Sequence, residues 1–404
     1  MMTVNPSEEK VMTTLVSTEV GDSTLVDNAG RAARSVADAA AESFKLRRAA
    51  DGAIEALEAN GLTKMTAPLG KGGQQASMAT QVAVFDRLAA EGDGSLSWVA
   101  SIYNAVGYMI CAFGDEAVDE YLASDTPRSA GVFSVTGKAT RVPGGYRVSG
   151  KWAFASGQHH AGWILVPGLA DDTAQPLSWL VPKSEFTVED DWYVSGLVAT
   201  GSNAVSLRET FVPDHRTVPF GDIVRGKCRT SSYSDDLYYR QPFVPVMCAV
   251  SVGTPVGLAR AALRLFTQRI ERRGITYTPY SKQAQAPITH FQLAEAQIKL
   301  DQAEFHTNRL VRAVDEHIRT GTPWDITSRV RCRADIATAV KLAREVCDIV
   351  ELGSGASAIH TNDPLPGILR DIRVISVHSF LLHSTNAELY GRVLAGMDPG
   401  VPFV

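Results

Sequence analysis

Apolar positions along the first third of the chain recur every three to four residues, from about Ala32 to Leu122, and this spacing predicts helices. In "DGAIEALEANGLTKM", Ile54, Leu57 and Leu62 fall roughly on one face, and Gly61 stands where a helix would stop. The stretch "SMATQVAVFDRLAAEGDGSLSWVASIYNAVGYMICAFG" predicts a helix, an acidic glycine-containing turn and a second helix that is apolar nearly all round, as a core helix is. "KGGQQ" is expected to be a loop. The period changes near Ser124. Short alternating runs such as "YRVSGKWAFASG", "LSWLVPK" and "AVSLRETFVP" follow to about Pro219, punctuated by Gly, Pro and Asp, and predict a compact antiparallel β domain. Helical spacing returns at about Val244 in three long segments that each close on glycine, with a last helix expected from about Leu369 to Leu394. The expected organisation is a helical domain over 1–123, a β domain over 124–240 and a helical bundle over 241–404.

Composition narrows the function classes. The 404 residues are 45% hydrophobic and 21% charged, ordinary for a globular protein, and a net charge of -5 gives no reason to expect nucleic acid or an anionic membrane as partner. No apolar run approaches the ~20 residues of a membrane span, and "MMTVNPSEEKVMTTLVSTEVGDST" lacks the features of an export signal. Five scattered cysteines without a CxxC suit a reducing cytoplasm better than a disulfide framework or a zinc cluster.

Four motifs carry possible chemistry. "GSGASA", Gly353 to Ala358, matches GxGxxA, with Asp371 downstream, but the preceding segment is helical and two prolines follow, so a Rossmann reading fails. The same residues miss GxSxG because Ile359 replaces the second glycine. His159 and His160 are adjacent, so on a strand they face opposite ways and cannot share a metal; His378 and His383 are five apart and do not share a helix face. No metal is expected. Taken alone, His378 is an ordinary core histidine and Ser156 an ordinary turn residue.

The segments "EALEANGLTKMTAPLGKGG", "GGYRVSGKWAFASGQHHAGW", "DWYVSGLVATGSNAVSLRETFVP", "ITHFQLAEAQIKLDQAEF" and "ELGSGASAIHTNDPLPGILRDIRVISVH" together resemble the acyl-CoA dehydrogenase fold. Within it they are similar to the two-component (group D) flavin-dependent monooxygenases, which include the oxygenase components of p-hydroxyphenylacetate hydroxylases. Dehydrogenases commonly place a catalytic glutamate about nine residues after the arginine of the last "RD" pair. Here that count from Arg370 reaches Ser379, and "FASGQHHAGW" has the hydroxylase form. The resemblance therefore implies oxygenation.

It also implies an acyl-CoA dehydrogenase-like architecture of N-terminal helices, a central antiparallel β domain and a C-terminal four-helix bundle. Reduced flavin, FADH2 or FMNH2, would come from a separate NAD(P)H flavin reductase and react with O2 to a C4a-hydroperoxyflavin in a dry pocket. By match, Ser156 meets the flavin near N5, Gly157 lets the backbone approach the ring, Phe133 and Ser134 line its pyrimidine side and Trp152 is an aromatic wall. Arg272 or Arg273 clamps phosphate, and the loop of Gly353, Gly355 and Ser357 lies against the flavin tail, that of a neighbouring subunit in a homotetramer or homodimer. His378 deprotonates a phenol, indole or amine, while Trp98, Asn104, Tyr108 and Tyr239 line the substrate side. The acceptor implied is an aromatic or heteroaromatic small molecule. The alternatives are N-hydroxylation of an amine or amino sugar, an acyl-CoA dehydrogenase with oxidised FAD, and a non-catalytic helical scaffold.

Overall fold

In a computed structural model, residues 22–401 and 403–404 are described. Six helices come first: α1 (Ser23–Asp38), α2 (Ala40–Leu46), α3 (Asp51–Ala59), α4 (Met78–Glu91), α5 (Gly94–Met109) and α6 (Asp115–Ala123). Asp22, Ser77 and Asp93 cap α1, α4 and α5 by accepting backbone N–H groups of the first turn. Nearly every residue of α5 is buried, as its apolar pattern predicts. Its glycines, serines and β-branched residues cost helix propensity, each about 1 kcal/mol or less, whereas full burial of a large apolar side chain gains about 1.5–3 kcal/mol. Packing wins, and the helix is the spine of the site.

The eight strands are β1 (Ser129–Gly131), β2 (Gly137–Val142), β3 (Gly145–Trp152), β4 (Trp163–Ala170), β5 (Leu177–Pro182), β6 (Thr187–Val188), β7 (Val205–Pro213) and β8 (Thr217–Pro219). They form one sheet in the order β6-β7-β3-β2-β4-β5-β8, with β1 on β4. The sheet is mixed, not antiparallel as the punctuation predicted. Both β1 and β2 run parallel to β4, because β4 returns to the sheet after a turn rather than a hairpin. Gly137 and Gly168 make this pairing possible: a Cβ on Gly168 would lie 2.5 Å from the Gly137 backbone.

The chain then passes through the short α7 (Phe220–Val224) into α8 (Phe243–Ile270), α9 (Pro287–Thr320), α10 (Ile326–Ser354), α11 (Leu365–Ser376) and α12 (His383–Leu394). Helices α8 to α11 pack together as the expected bundle. The first of them contains an apolar stretch long enough to cross a membrane, contrary to the sequence expectation, but 94% of that stretch is buried in the protein. The last predicted helix is two. It breaks at Val377–Leu382, where the His378 carbonyl accepts both the Leu381 and Leu382 N–H groups, at 2.8 and 2.9 Å. Buried Asn386 donates to the Phe380 and Leu382 carbonyls at 3.0 and 2.9 Å, satisfying the broken turn.

Candidate functional site

The turn after β3 holds Ser156 and Gly157. Gly157 has φ +77°, and a Cβ there would lie 2.9 Å from the Tyr103 ring. The glycine is thus required by α5 behind it, as well as by any ligand in front. Tyr103, from the middle of α5, donates its hydroxyl to the Gly157 carbonyl at 2.6 Å. On the same turn, Phe154 has φ +64° and is 71% exposed, its ring edge-on to Trp192. A strained, exposed phenylalanine two residues before Ser156 is a feature the sequence reading missed.

The Ser156 hydroxyl lies 2.8 Å from Ser202 Oγ, which lies 2.6 Å from Thr200 Oγ1. Thr200 donates to the Leu197 carbonyl at 2.8 Å. That carbonyl fixes the direction of the relay: Ser202 donates to Thr200, and Ser156 donates to Ser202. The lone pairs of Ser156 Oγ are left for a ligand donor.

From this loop, the Leu197 N–H donates to Asp371 Oδ1 at 2.6 Å. Asp371 sits on α11 beside the N-terminus of α5, where a Cβ on Gly94 would be 3.0 Å from its Oδ2. Burial first, then the neighbouring Asp93, pushes the Asp371 carboxyl up to about 7.

His378 lies just past the end of α11, in the break rather than on a helix. Its ring meets Trp98 of α5 edge-on, centroids 5.8 Å apart. It keeps an accessible edge but is packed deeply enough that burial lowers its pKa below 6.5. The Phe380 N–H donates to His378 Nδ1 at 3.3 Å, so the neutral ring carries its proton on Nε2. Trp98 and Tyr103 are five residues apart on α5, about 7.5 Å along its axis. One helix therefore holds both the histidine and the serine turn.

Other predicted site residues lie elsewhere. Trp152 is fully buried inside the β domain, its Nε1–H donating to the Pro167 carbonyl at 2.8 Å, and offers no face to a ligand. Asn104 is also fully enclosed: its Oδ1 accepts the Met65 N–H at 2.8 Å and its Nδ2 donates to Leu62 and Ala100 carbonyls, each at 2.8 Å. Tyr108 and Tyr239 are buried and donate to backbone carbonyls of Tyr238 and Thr66, at 2.8 and 2.9 Å. These three brace the loop after α3 and the segment before α8 and do not line a substrate pocket. Phe133 is half-buried against Phe243, centroids 5.1 Å apart, and Ser134 beside it is exposed.

At the far end of the bundle Arg273 donates to the Ser354 carbonyl, and a Cβ on Gly355 (φ +57°) would lie 3.5 Å from its guanidinium. Gly353 is pressed against Phe266, where a Cβ would be 2.6 Å away, so it serves packing. Arg272 is exposed in the turn that follows α8, and the Ser357 side chain lies outside the described set. His159 bonds Asn203 at 2.9 Å and His160 the Ala49 carbonyl at 2.9 Å. No cluster of metal-ligating residues occurs among the described residues. A cavity of about 290 Å³ lies beside His159, lined by Arg47, Arg48 and Asp190. It does not include Ser156 or His378, and its arginines are paired with Asp190 and Asp51.

Known proteins match this arrangement. The acyl-CoA dehydrogenase N-terminal domain matches residues 24–124 and the C-terminal domain residues 249–382. A pigment production hydroxylase from Rhodococcus sp. (strain ATCC 21145) is 30% identical over 317 residues, covering 77% of this chain and 80% of its own. The oxygenase component of an FADH2-dependent resorcinol hydroxylase from Rhizobium sp. is 26% identical over 89% of this chain and 91% of its own. The solved structure of XiaF from Streptomyces sp., in complex with FADH2 and glycerol, superposes with a TM-score of 0.89 at 29% identity, covering 94% of this chain and 97% of that one. By these matches in sequence and fold, the chain belongs to the acyl-CoA dehydrogenase-fold flavin-dependent monooxygenases, as an oxygenase component that uses reduced flavin and O2.

Proposed function

We propose that the chain hydroxylates a flat aromatic or heteroaromatic molecule at the space between the Ser156 turn and His378. The observation that carries this is the shared spine: α5 fixes Gly157 through Tyr103 and His378 through Trp98. The residues fit a reduced flavin. Phe154 offers an exposed aromatic face, and Ser156, its own proton committed to Ser202, offers a lone pair to a ring N–H such as N5–H. When bound, the reduced flavin supplies the electrons and activates the oxygen. The chain's part is to hold that N–H, exclude water and manage the acceptor's proton.

His378 is neutral at pH 7 because burial lowers its pKa. As it stands it donates Nε2–H to an acceptor's oxygen, favouring a phenolate. Taking a phenolic proton requires the other tautomer, which gives up only the long 3.3 Å contact from Phe380. Arg273 and the loop at Gly355 are the proposed seat of the flavin tail, supported by their approach to one another.

Helix α9 leaves Ile288, Phe291, Ile298 and Phe305 exposed in one row at helical spacing. We assign this row to contact with a second copy of the chain in a homodimer or homotetramer. The reductase is a separate protein, as the oxygenase-component relatives imply. Five cysteines without a disulfide among the described residues suit a cytoplasmic site.

The test mixes protein loaded with reduced flavin into oxygenated buffer. A transient absorbance distinct from oxidised flavin is expected. With His378→Ala the transient forms but product formation slows by about two orders of magnitude, the range of a lost acid–base group. Immediate appearance of oxidised flavin in the wild type overturns the reading.

A further inference from the structure

Phe133, Phe220, Phe243 and Phe380 come from four separate parts of the fold and surround one further ring, Phe403. Its centroid lies 6.2 Å from Phe133, 6.1 Å from Phe220, 6.2 Å from Phe243 and 5.8 Å from Phe380. Phe220 is stacked on it, the planes 13° apart, and Phe380 meets it edge-on at 72°. Stacking from one side and an edge from another is how aromatic side chains hold a flat aromatic guest. Phe380 is also the residue whose N–H bonds His378 Nδ1, so the box adjoins the histidine.

The Arg333 guanidinium over the box has donors committed to neutral groups of the protein rather than to a guest. Arg333 Nε donates to Asn386 Oδ1 at 2.8 Å, its terminal nitrogen to the Phe403 carbonyl at 2.7 Å, and its face covers Phe380 at 4.8 Å. The segment carrying Phe403 follows Gly400, at φ +77° in a turn closed by Asp398. Beyond that turn its described residues are held by the Arg333 bond, by one from Arg329 to the Val404 carbonyl at 3.2 Å, and by Val404 against Val330 and Leu389.

We propose that these four phenylalanines form the binding box for an uncharged aromatic acceptor ring, and that Phe403 occupies it as an intramolecular plug until the acceptor displaces it. This deepens the proposed function and rests on it for the identity of the guest as substrate. A plug that must leave before the acceptor enters lowers apparent affinity to the fraction of time the box is open. It also keeps water from the box when no acceptor is present.

The test is a fluorescence titration with 2-naphthol, without flavin or oxygen. Phe403→Ala, which empties the box while leaving the backbone anchors, should bind the probe at least about tenfold more tightly than wild type. Phe403→Leu, which keeps an apolar side chain in the seat, should fall between them. The anionic 6-hydroxy-2-naphthoate should bind Phe403→Ala at least about tenfold more weakly than 2-naphthol, because a buried charge without a partner is costly. Equal or weaker 2-naphthol binding by both variants overturns the plug, and equal binding of the carboxylate overturns the uncharged class. Because the titration involves no flavin, tightened binding without the oxygen-dependent transient would sink the monooxygenase reading and leave the box standing.

Discussion

The chemical character of Ser156 is set by its neighbour Ser202. The relay to the Leu197 carbonyl makes Ser156 Oγ an acceptor, and in the proposed site this would suit the N5–H of reduced flavin rather than the bare N5 of oxidised flavin. Ser202→Ala removes the acceptor for the Ser156 proton and frees it to donate. Anaerobic titrations should show the preference for reduced over oxidised flavin falling about five- to tenfold, the worth of one hydrogen bond. An unchanged ratio would remove the relay from the argument. His378 gives a pH signature of the opposite kind. Its pKa is lowered, so the neutral ring persists on acidification and is lost only as pH falls through a value below 6.5. Product formation should fall on that acid limb, and His378→Ala should abolish the limb.

At the scale of elements, Asp371 ties α11 to the loop of Leu197 and Thr200 behind Ser156 and approaches the N-terminus of α5. Its folded pKa is raised, to about 7, above the 3.8 of an unperturbed carboxyl. The folded state therefore holds a proton between these values that the unfolded chain has released. Its contribution to stability is present at low pH and is lost as pH rises toward 7. Asp371→Asn keeps an oxygen for the Leu197 N–H and removes the titration. Its melting temperature, compared with wild type, should improve between pH 5 and pH 8 by a few degrees, roughly the scale of a one- to two-kcal/mol change. Asn104→Ala should lower stability by about 2–4 kcal/mol through unsatisfied carbonyls and N–H groups, measured by denaturant unfolding, because all its partners are backbone.

The sequence pattern was legible where burial is periodic. The all-apolar α5 and the long bundle helices follow directly from spacing. The break at Val377–Leu382 did not, because it depends on Asn386, itself held by Arg333, satisfying backbone carbonyls of the broken turn. Trp152 and Phe154 show the same limit within one strand end. Neighbouring aromatics of similar character part company only when the β-domain core takes one and a positive φ turns the other outward.

For the whole molecule, the row on α9 runs toward the glycine loop. Gln292, beside Phe291, lies where a Cβ on Gly353 would be 3.0 Å away, and Leu352 and Ile359 flank the loop at 79% and 74% exposure. Apolar side chains this large rarely stay in water as a continuous patch. Covering the α9 row with a second copy would place that copy next to Arg273 and Gly355, the proposed seat of the flavin tail. Association and flavin binding should then fail together. The double variant Phe291→Asp, Phe305→Asp buries like charges in the contact and should sediment as a smaller species than wild type. Its affinity for reduced flavin should fall at least about tenfold, the loss of one charge-assisted phosphate contact or more, while its circular dichroism stays that of the folded chain. A small species with unchanged flavin affinity would confine the site to one chain, and an unchanged sedimentation coefficient would remove α9 from the interface.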